Sequence, residues 1–504
     1  MFFLLFLPAL VFSQSNNHPA DVENVLQKAG KNRPELEMAI TWARKSNDPL
    51  KLKAIYFLVR NMDIHYSRNY YWTDSITGKR IDYNELNYPD LASAVQAFDQ
   101  IKKKYKKLIP IAYTYKDIDS IKSVFLIENV EEAFKSWKLL PAKNLTFDEF
   151  CQYLLPYRVS TEPLQNWRKV YYNKFKWIAD SAKGKRNEEA LQYFAADFKT
   201  WFINTWDTEV RKEPLPRLGP LQLLSRKKGN CDDIADLEVF KLRSQGYPAS
   251  LEHIPYWATT SGRHFFNSTL DEEKKLLPFD ISTPMVKINN FSREPSKVLR
   301  ITYSKQADAL AETMPESEIP PGFMRTLNYK DVTSDYWPTA DIGLKLINTK
   351  NKPLVAYACV FNQFAWQPTW WGKVQTDSVI FKGMCKGAVF LPMYYVKGKL
   401  YPAGYPVASG YQHKLELKPD TIHKRTVTIK QQEKYLILRS ENNYKLYYWD
   451  NNWKLNGQQK TTDGQVELVF NDVPRNALMI LIPEYSQGNE RPFIITEEGE
   501  RMWW

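Results

Sequence analysis

Hydrophobic and polar positions divide the chain into three regimes. From about residue 19 to 215 the apolar residues recur at helical spacing. Leu52, Ile55, Tyr56 and Val59 follow Asp48-Pro49, an N-cap with proline in the first turn. Thr146 and Glu149 have the spacing of a capping box, and Leu191, Phe194, Phe198 and Phe202 mark a further helix. A helix starting near Leu91 runs into the lysine-rich stretch 102–107, whose cations suit a helix C-terminus and read as a solvated face. A second regime begins after the Pro/Gly-rich junction Glu213 to Pro220. There Ile234, Ala235, Leu237, Val239, Phe240 and Leu242 form an amphipathic pattern stopped by Gly246-Tyr247-Pro248. Residues 263–270 then alternate as a strand, 271–275 form a charged turn, and 276–280 return beside it. Beyond about 300 the period is two. Ala340, Ile342, Leu344 and Leu346 precede a turn at Asn348 to Pro353, and Leu354 to Phe361 returns. Tyr435–Leu438, Tyr444–Trp449, Val466–Phe470 and Leu478–Ile482 follow. This is the pattern of antiparallel β-sandwiches.

The expected class is therefore α+β. The division is a helical region 15–215, a core 216–330, a β-sandwich 331–420 and a second β-sandwich 421–504, with no internal repeat. A chain of 504 residues has the length for three or four domains, and 43% hydrophobic with 14% aromatic content supports sizeable cores. The net charge of +12 favours acidic surfaces without implying nucleic acid. Phe2 to Gln14 is apolar but too short to span a bilayer, and it reads as a secretory signal covering 1–14, hence a secreted or periplasmic protein. No other run is long enough for a membrane span. Four cysteines are too few for a disulfide scaffold; Cys359 with Cys385 is the plausible pair, and Cys151 reads as a buried hydrophobe. No HExxH, phosphate-loop, CxxC or EF-hand pattern occurs, so no metal or cofactor is expected.

Chemistry concentrates in Gly229-Asn230-Cys231-Asp232-Asp233. Cys231 opens the helix, where backbone N–H groups and the helix dipole favour a thiolate. Asp232 and Asp233 oppose ionisation, so the thiolate needs a counter-charge, and His264 as imidazolium can supply it. The acids serve the helix dipole, or Asp233 binds a substrate amine. His264 shares a strand face with Phe266 and Ser268, and the 271–275 hairpin can bring Asp280 beside it to orient the ring. His253 is a rival base, but no strand ending in an acid accompanies it. Gln222, upstream of the nucleophile, is either an oxyanion donor or a surface glutamine. Tyr256 and Trp257 precede His264 closely enough to line a substrate groove. Trp366, Trp370 and Trp371 suit either stacking on a carbohydrate or packing between domains.

Gly229-Asn230-Cys231 opening a helix that ends at Gly246-Tyr247-Pro248, then Gly262-Arg263-His264 and Pro278-Phe279-Asp280, resembles the transglutaminase-like domain of the papain-like cysteine-enzyme superfamily. Upstream, Thr146 to Cys151, Leu155 to Arg158, Glu162-Pro163-Leu164 and Trp167-Arg168 resemble the helical region of large secreted bacterial members. The likeness covers roughly 140 to 290. It implies a papain-like core with Cys231 as nucleophile, His264 as base and Asp280 as its orienter. It also implies acyl transfer on a protein, peptide or glycopeptide, with hydrolysis favoured over crosslinking or deglycosylation. Phe265-Phe266 replaces the small residue and tryptophan that many members carry after the histidine, so substrate preference does not transfer. The rival expectation is a non-catalytic peptide- or glycan-binding protein on the same core.

Overall fold

A computed structural model describes residues 18–205, 217–283, 286–347, 353–410, 413–432 and 436–503. The expected signal, the 213–216 part of the junction, the 348–352 turn and Tyr435 lie outside the described residues. The fold is α+β, with helices and antiparallel sheets. Its centre is the helix Cys231–Ser244, all 14 residues of which are buried. A helix with one apolar stripe would leave its polar face wet. This one does not, because its polar side chains pair with neighbouring elements and with each other. Lys241 Nζ lies 2.9 Å from Glu238 and 3.4 Å from Asp197. Arg243 donates to the carbonyls of Pro156, Arg158 and Ala249, and Ser160 donates to Asp236 at 2.8 Å. The amphipathic expectation is thereby corrected: the helix is enclosed on every side.

One enclosing layer is a five-stranded antiparallel sheet ordered Tyr329–Asp331, Leu299–Ile301, Ala249–Ile254, His264–Leu270, Leu276–Phe279. The expected hairpin is present, with Asn267 paired to Phe279 and Leu270 to Leu276. Ala249, Leu251, Phe265, Leu277 and Phe279 pack into the core that contains the helix, and Asn267 Nδ2 ties strand to helix through Ala235 O at 2.9 Å. His264, Phe266 and Ser268 alternate to the opposite face. The other layer is helical, with Tyr171, Phe175 and Ile178 from Arg168–Ser181 and Leu191, Phe194 and Phe198 from Asn187–Trp201.

Farther toward the N-terminus, Ala20–Lys28, Arg33–Lys45, Pro49–Arg60, Ser123–Trp137 and Phe147–Tyr153 share a second core. The caps form as read: Asp48 Oδ1 accepts from Leu50 N at 3.0 Å, and Thr146 and Glu149 exchange hydrogen bonds. The helix Leu91–Lys102 stops at the lysine run. One difference from the expected helical region is a three-stranded sheet in which Tyr66–Asp74 pairs Leu108–Lys116 in unbroken register, with Arg80–Ile81 at its edge. Tyr70, Tyr71, Trp72 and Thr73 are residues that suit a half-buried pleated surface better than a helix.

After residue 339 the chain is β-structure in two modules. The first is not a sandwich but an eight-stranded antiparallel sheet that curls until Lys414, on one edge strand, donates to Gly343 O on the other at 2.6 Å. Ala356, Ala358, Val360, Phe381 and Phe390 fill the inside of the curl. Tyr357, Cys359, Phe361 and Leu391 on the outside pack against Trp449, Leu478 and Ile480 of the second module. Cys359 and Cys385 thus belong to opposite faces of the sheet, and all four cysteines are free and buried; the expected pair does not form. The second module sets Asp420–Lys430 and Glu467–Arg475 over a five-stranded sheet around Tyr444, Leu446, Phe470 and Met479. Trp366 packs on Trp449 at 5.4 Å, Trp371 joins the same core, and Trp370 carries the Lys297 ammonium at 4.3 Å, so all three indoles are engaged in packing. Among the described residues no helix is long and apolar enough to cross a membrane.

Arg158 is the densest of the polar anchors. It reaches Asp117 at 2.5 Å and 2.8 Å, Ser67 Oγ at 2.9 Å and Glu162 O at 2.8 Å, all buried. Arg158→Leu strands the Asp117 carboxylate, and the expected loss is about 3–5 kcal/mol. Urea unfolding measures it; a loss below about 1 kcal/mol would show that the network is not needed.

Candidate active site

The local sequence explains where Cys231 sits. Asn230 Oδ1 accepts from the N–H groups of Asp232 and Asp233 at 3.0 and 3.4 Å, and Asp233 Oδ2 accepts from Asn230 N at 3.0 Å. This capping box starts the helix at Cys231. It also explains Gly229, because a Cβ there would lie 2.5 Å from Asp233 Cβ. Gly229 is held in turn by a short parallel pairing with Ile203–Asn204 and by Thr205 N, 2.8 Å from its carbonyl. Asp233, read as a substrate contact, is buried in the cap.

Cys231 is only 4% exposed. Its Sγ–H donates to Asp232 Oδ1 at 3.4 Å. Burial and the Asp232 charge push the thiol up to about 12, while the Phe265 N–H and Arg217 pull the other way without prevailing. Burial also raises the Asp232 carboxyl, but Arg217 and Arg263 outweigh it and hold the group below its ordinary value. Arg217 donates to Asp232 O at 2.7 Å and lies 3.5 Å from Asp236, and Arg263 reaches Asp232 Oδ2 at 2.8 Å. Both guanidinium groups lie over the Phe265 ring, at 4.3 and 5.5 Å. The resting centre is a thiol on a carboxylate rather than the expected Cys–His ion pair.

His264 Nε2 lies 2.9 Å from Asp280 Oδ2, and Asp280 Oδ1 is held by Ser282 N and Oγ at 3.0 and 2.5 Å. The imidazole stacks between Trp257 and Phe266, each with its ring centroid 6.0 Å away. Nε2 being engaged, Nδ1 is the free nitrogen. Among the described residues no hydrogen bond joins the ring to Sγ. The link between the two is the peptide after His264, since the Phe265 N–H is turned toward the sulfur. Pairing with Leu276–Phe279 begins only at Asn267, so residues 264–266 have no partner on that strand.

His264 forms part of the wall of an open cleft of about 900 Å³. Tyr256, Trp257 and Arg263 line it from the core, Phe323 and Met324 from the connecting segment, and Asn362 and Gln363 from the curled sheet. Sequence reading reached Tyr256 and Trp257 but missed the others, which lie a hundred residues downstream or carry no local pattern. Asn362 is the most consequential of them. Its Nδ2 donates to the carbonyls of Trp257, Thr260 and Gly262 at 3.0, 2.9 and 3.1 Å, and its Oδ1 accepts from Gly262 N at 3.0 Å. Arg491 of the last module adds a bond to Ala258 O at 2.6 Å. The loop leading into His264 is therefore clamped by the β-modules.

The remaining candidates fall elsewhere. His253 stacks flat on Phe265 at 4.1 Å, and burial together with Arg217 and Arg263 pushes it down to about 3, so it stands neutral. Gln222 accepts from Gly219 N and donates to Glu85 Oε1, both at 2.8 Å, which occupies its amide at both ends. Among the described residues no group of three or more His, Cys, Asp or Glu side chains converges to hold a metal ion.

No protein-family model matches the sequence, and no curated protein matches it by sequence. Among solved structures, the chain is similar to red sea bream transglutaminase at 8% identity, over 75% of this chain and 73% of that one, with a TM-score of 0.18.

A thiol held near 12 is ionised at pH 8 only to roughly one part in ten thousand, and alkylation tracks the thiolate. Asp232→Asn removes the repelling charge, leaves only a neutral amide oxygen as acceptor for Sγ–H and takes from Arg263 its carboxylate partner, while Arg217 keeps Asp236. The iodoacetamide reaction of Cys231 at pH 8, followed by mass spectrometry, should rise about tenfold or more. An unchanged rate would mean that burial alone governs the thiol.

Proposed function

We propose that the chain is a cysteine-dependent acyl-transfer enzyme of transglutaminase-like type, acting on an amide or peptide bond and releasing its product by hydrolysis. The observation that carries this reading is the 2.9 Å His264–Asp280 pair, whose histidine lines the cleft, with the N–H of the next residue, Phe265, acting on the Cys231 thiol. Asp280 fixes the tautomer and stabilises the imidazolium, leaving Nδ1 to take the thiol proton. Sulfur then attacks the carbonyl carbon, His264 passes the proton to the leaving nitrogen as the C–N bond breaks, and a thioester remains. Water resolves the thioester; an amine in its place makes the same centre a crosslinking enzyme. Because Sγ–H rests on Asp232 and the His264 ring is not hydrogen-bonded to it, the proton passes to Nδ1 only when substrate displaces the Asp232 contact and brings ring and sulfur together. Glycopeptides fall in the same substrate class. The support for secretion is the Phe2–Gln14 run alone.

A second reading, a peptide- or glycan-binding protein with an inert thiol, is favoured by one observation: Cys231 is buried, protonated and hydrogen-bonded to a carboxylate. A chloroacetamide peptide probe separates the two. Catalysis predicts labelling of Cys231 well ahead of Cys151, falling by about 10² or more in His264→Ala. His253→Phe should leave it intact. If Cys231 reacts no faster than Cys151, which burial also pushes up to about 12, the enzyme reading fails and the binding reading stands.

A further inference from the structure

The cleft wall has a charge pattern that the acyl-transfer chemistry does not use. Two guanidinium groups, Arg263 and Arg293, line it together with His253 and His264, and no carboxylate of the described residues does. Arg263 has one carboxylate partner among the described residues, Asp232 at 2.8 Å, yet its side chain is 57% exposed. Arg293 is exposed and stands over the Trp257 ring at 5.8 Å; among the described residues it has no carboxylate partner. His253, pushed down to about 3, adds no charge at neutral pH to that of the two arginines.

We infer that the cleft is a subsite for a peptide carboxylate: an Asp or Glu side chain, or a chain terminus, close to the reacting amide is held between Arg263 and Arg293. This deepens the proposed function and rests on it for the identity of the reacting bond, though not for the binding. Arginine suits the task because its planar fork meets a carboxylate with two parallel hydrogen bonds. The Trp257 ring, 5.8 Å from the Arg293 guanidinium, gives it a cation–π contact. A peptide is favoured over an acidic glycan because the cleft offers no open indole face. Trp257 is 9% exposed and is flanked by His264, Phe291 and Arg293. Phe323 and Met324 add apolar lining for neighbouring side chains.

Calorimetric titration of Cys231→Ala, which removes turnover but not the cleft, tests this with three hexapeptides differing only in a central Glu, Gln or Lys, and with a uronic-acid tetrasaccharide. The Glu peptide should bind at least about tenfold more tightly than the Gln peptide, with the Lys peptide weakest. Arg293→Met in the same background should erase the Glu preference, Arg293→Lys should keep part of it, and raised salt should weaken it. Equal binding of Glu and Gln, no binding by any peptide, a preference untouched by Arg293→Met, or tighter binding of the tetrasaccharide would each overturn the assignment. Turnover by the unmodified protein is read separately. A Glu preference without turnover leaves the subsite standing and removes the acyl transfer, whereas turnover indifferent to charge does the reverse.

Discussion

The structure depends on burying one helix completely. Cys231–Ser244 carries Asp236, Glu238, Lys241 and Arg243 into the buried interior, where an unpaired charge costs several kcal/mol. Three of the four recruit partners from other parts of the chain, while Glu238 pairs with Lys241 within the helix. Lys241 brings in Asp197, Arg243 brings in the 156–158 carbonyls, and Asp236 brings in Ser160 and Arg217. These contacts fix the helical layer against the sheet and leave the N-terminus of the helix as the place where Cys231 meets the 264–266 stretch. The motif Gly-Asn-Cys-Asp-Asp is a capping device that sets where Cys231 stands.

The same architecture sets the state of the thiol. A helix N-terminus favours an anion, but at Cys231 that advantage is opposed by burial and by Asp232, and they win. Asp232 is retained as a carboxylate by Arg217 and Arg263, one from the junction segment and one beside His264. Sulfur, carboxylate and arginines thus form a single balance. Any ligand that engages Arg263 alters the charge felt at Asp232 and hence at Sγ.

The β-modules have a definite mechanical part in the site. Asn362, at the end of its strand, replaces with one side chain the hydrogen bonds that the 257–262 loop cannot make within itself. Arg491 adds a second tie from the last module. An irregular loop ordered in this way gives Trp257 and His264 fixed positions. The curled sheet and the module behind it act as a frame for the cleft as well as supplying part of its wall.

Much of this was legible in the sequence, because it is local. Caps at Asp48 and Thr146, the start of the helix at Cys231 and the hairpin that carries Asp280 toward His264 depend on residues a few positions apart, and period and capping chemistry report them directly. The tyrosine-rich strand Tyr66–Asp74 was missed because it lies among strong helix signals, and its partner Leu108–Lys116 is a helix away. Whether Cys359 could meet Cys385, whether Trp366 could stack on a sugar, and whether Gln222 was free were decided by which sheet face or neighbour each acquired. Residue types and spacing determined where a nucleophile, a base and an acid could stand. Only the tertiary structure decided their ionisation, the arginines around them and the distant Asn362 clamp, because burial and charge pairing arise between segments whose separation along the chain carries no pattern.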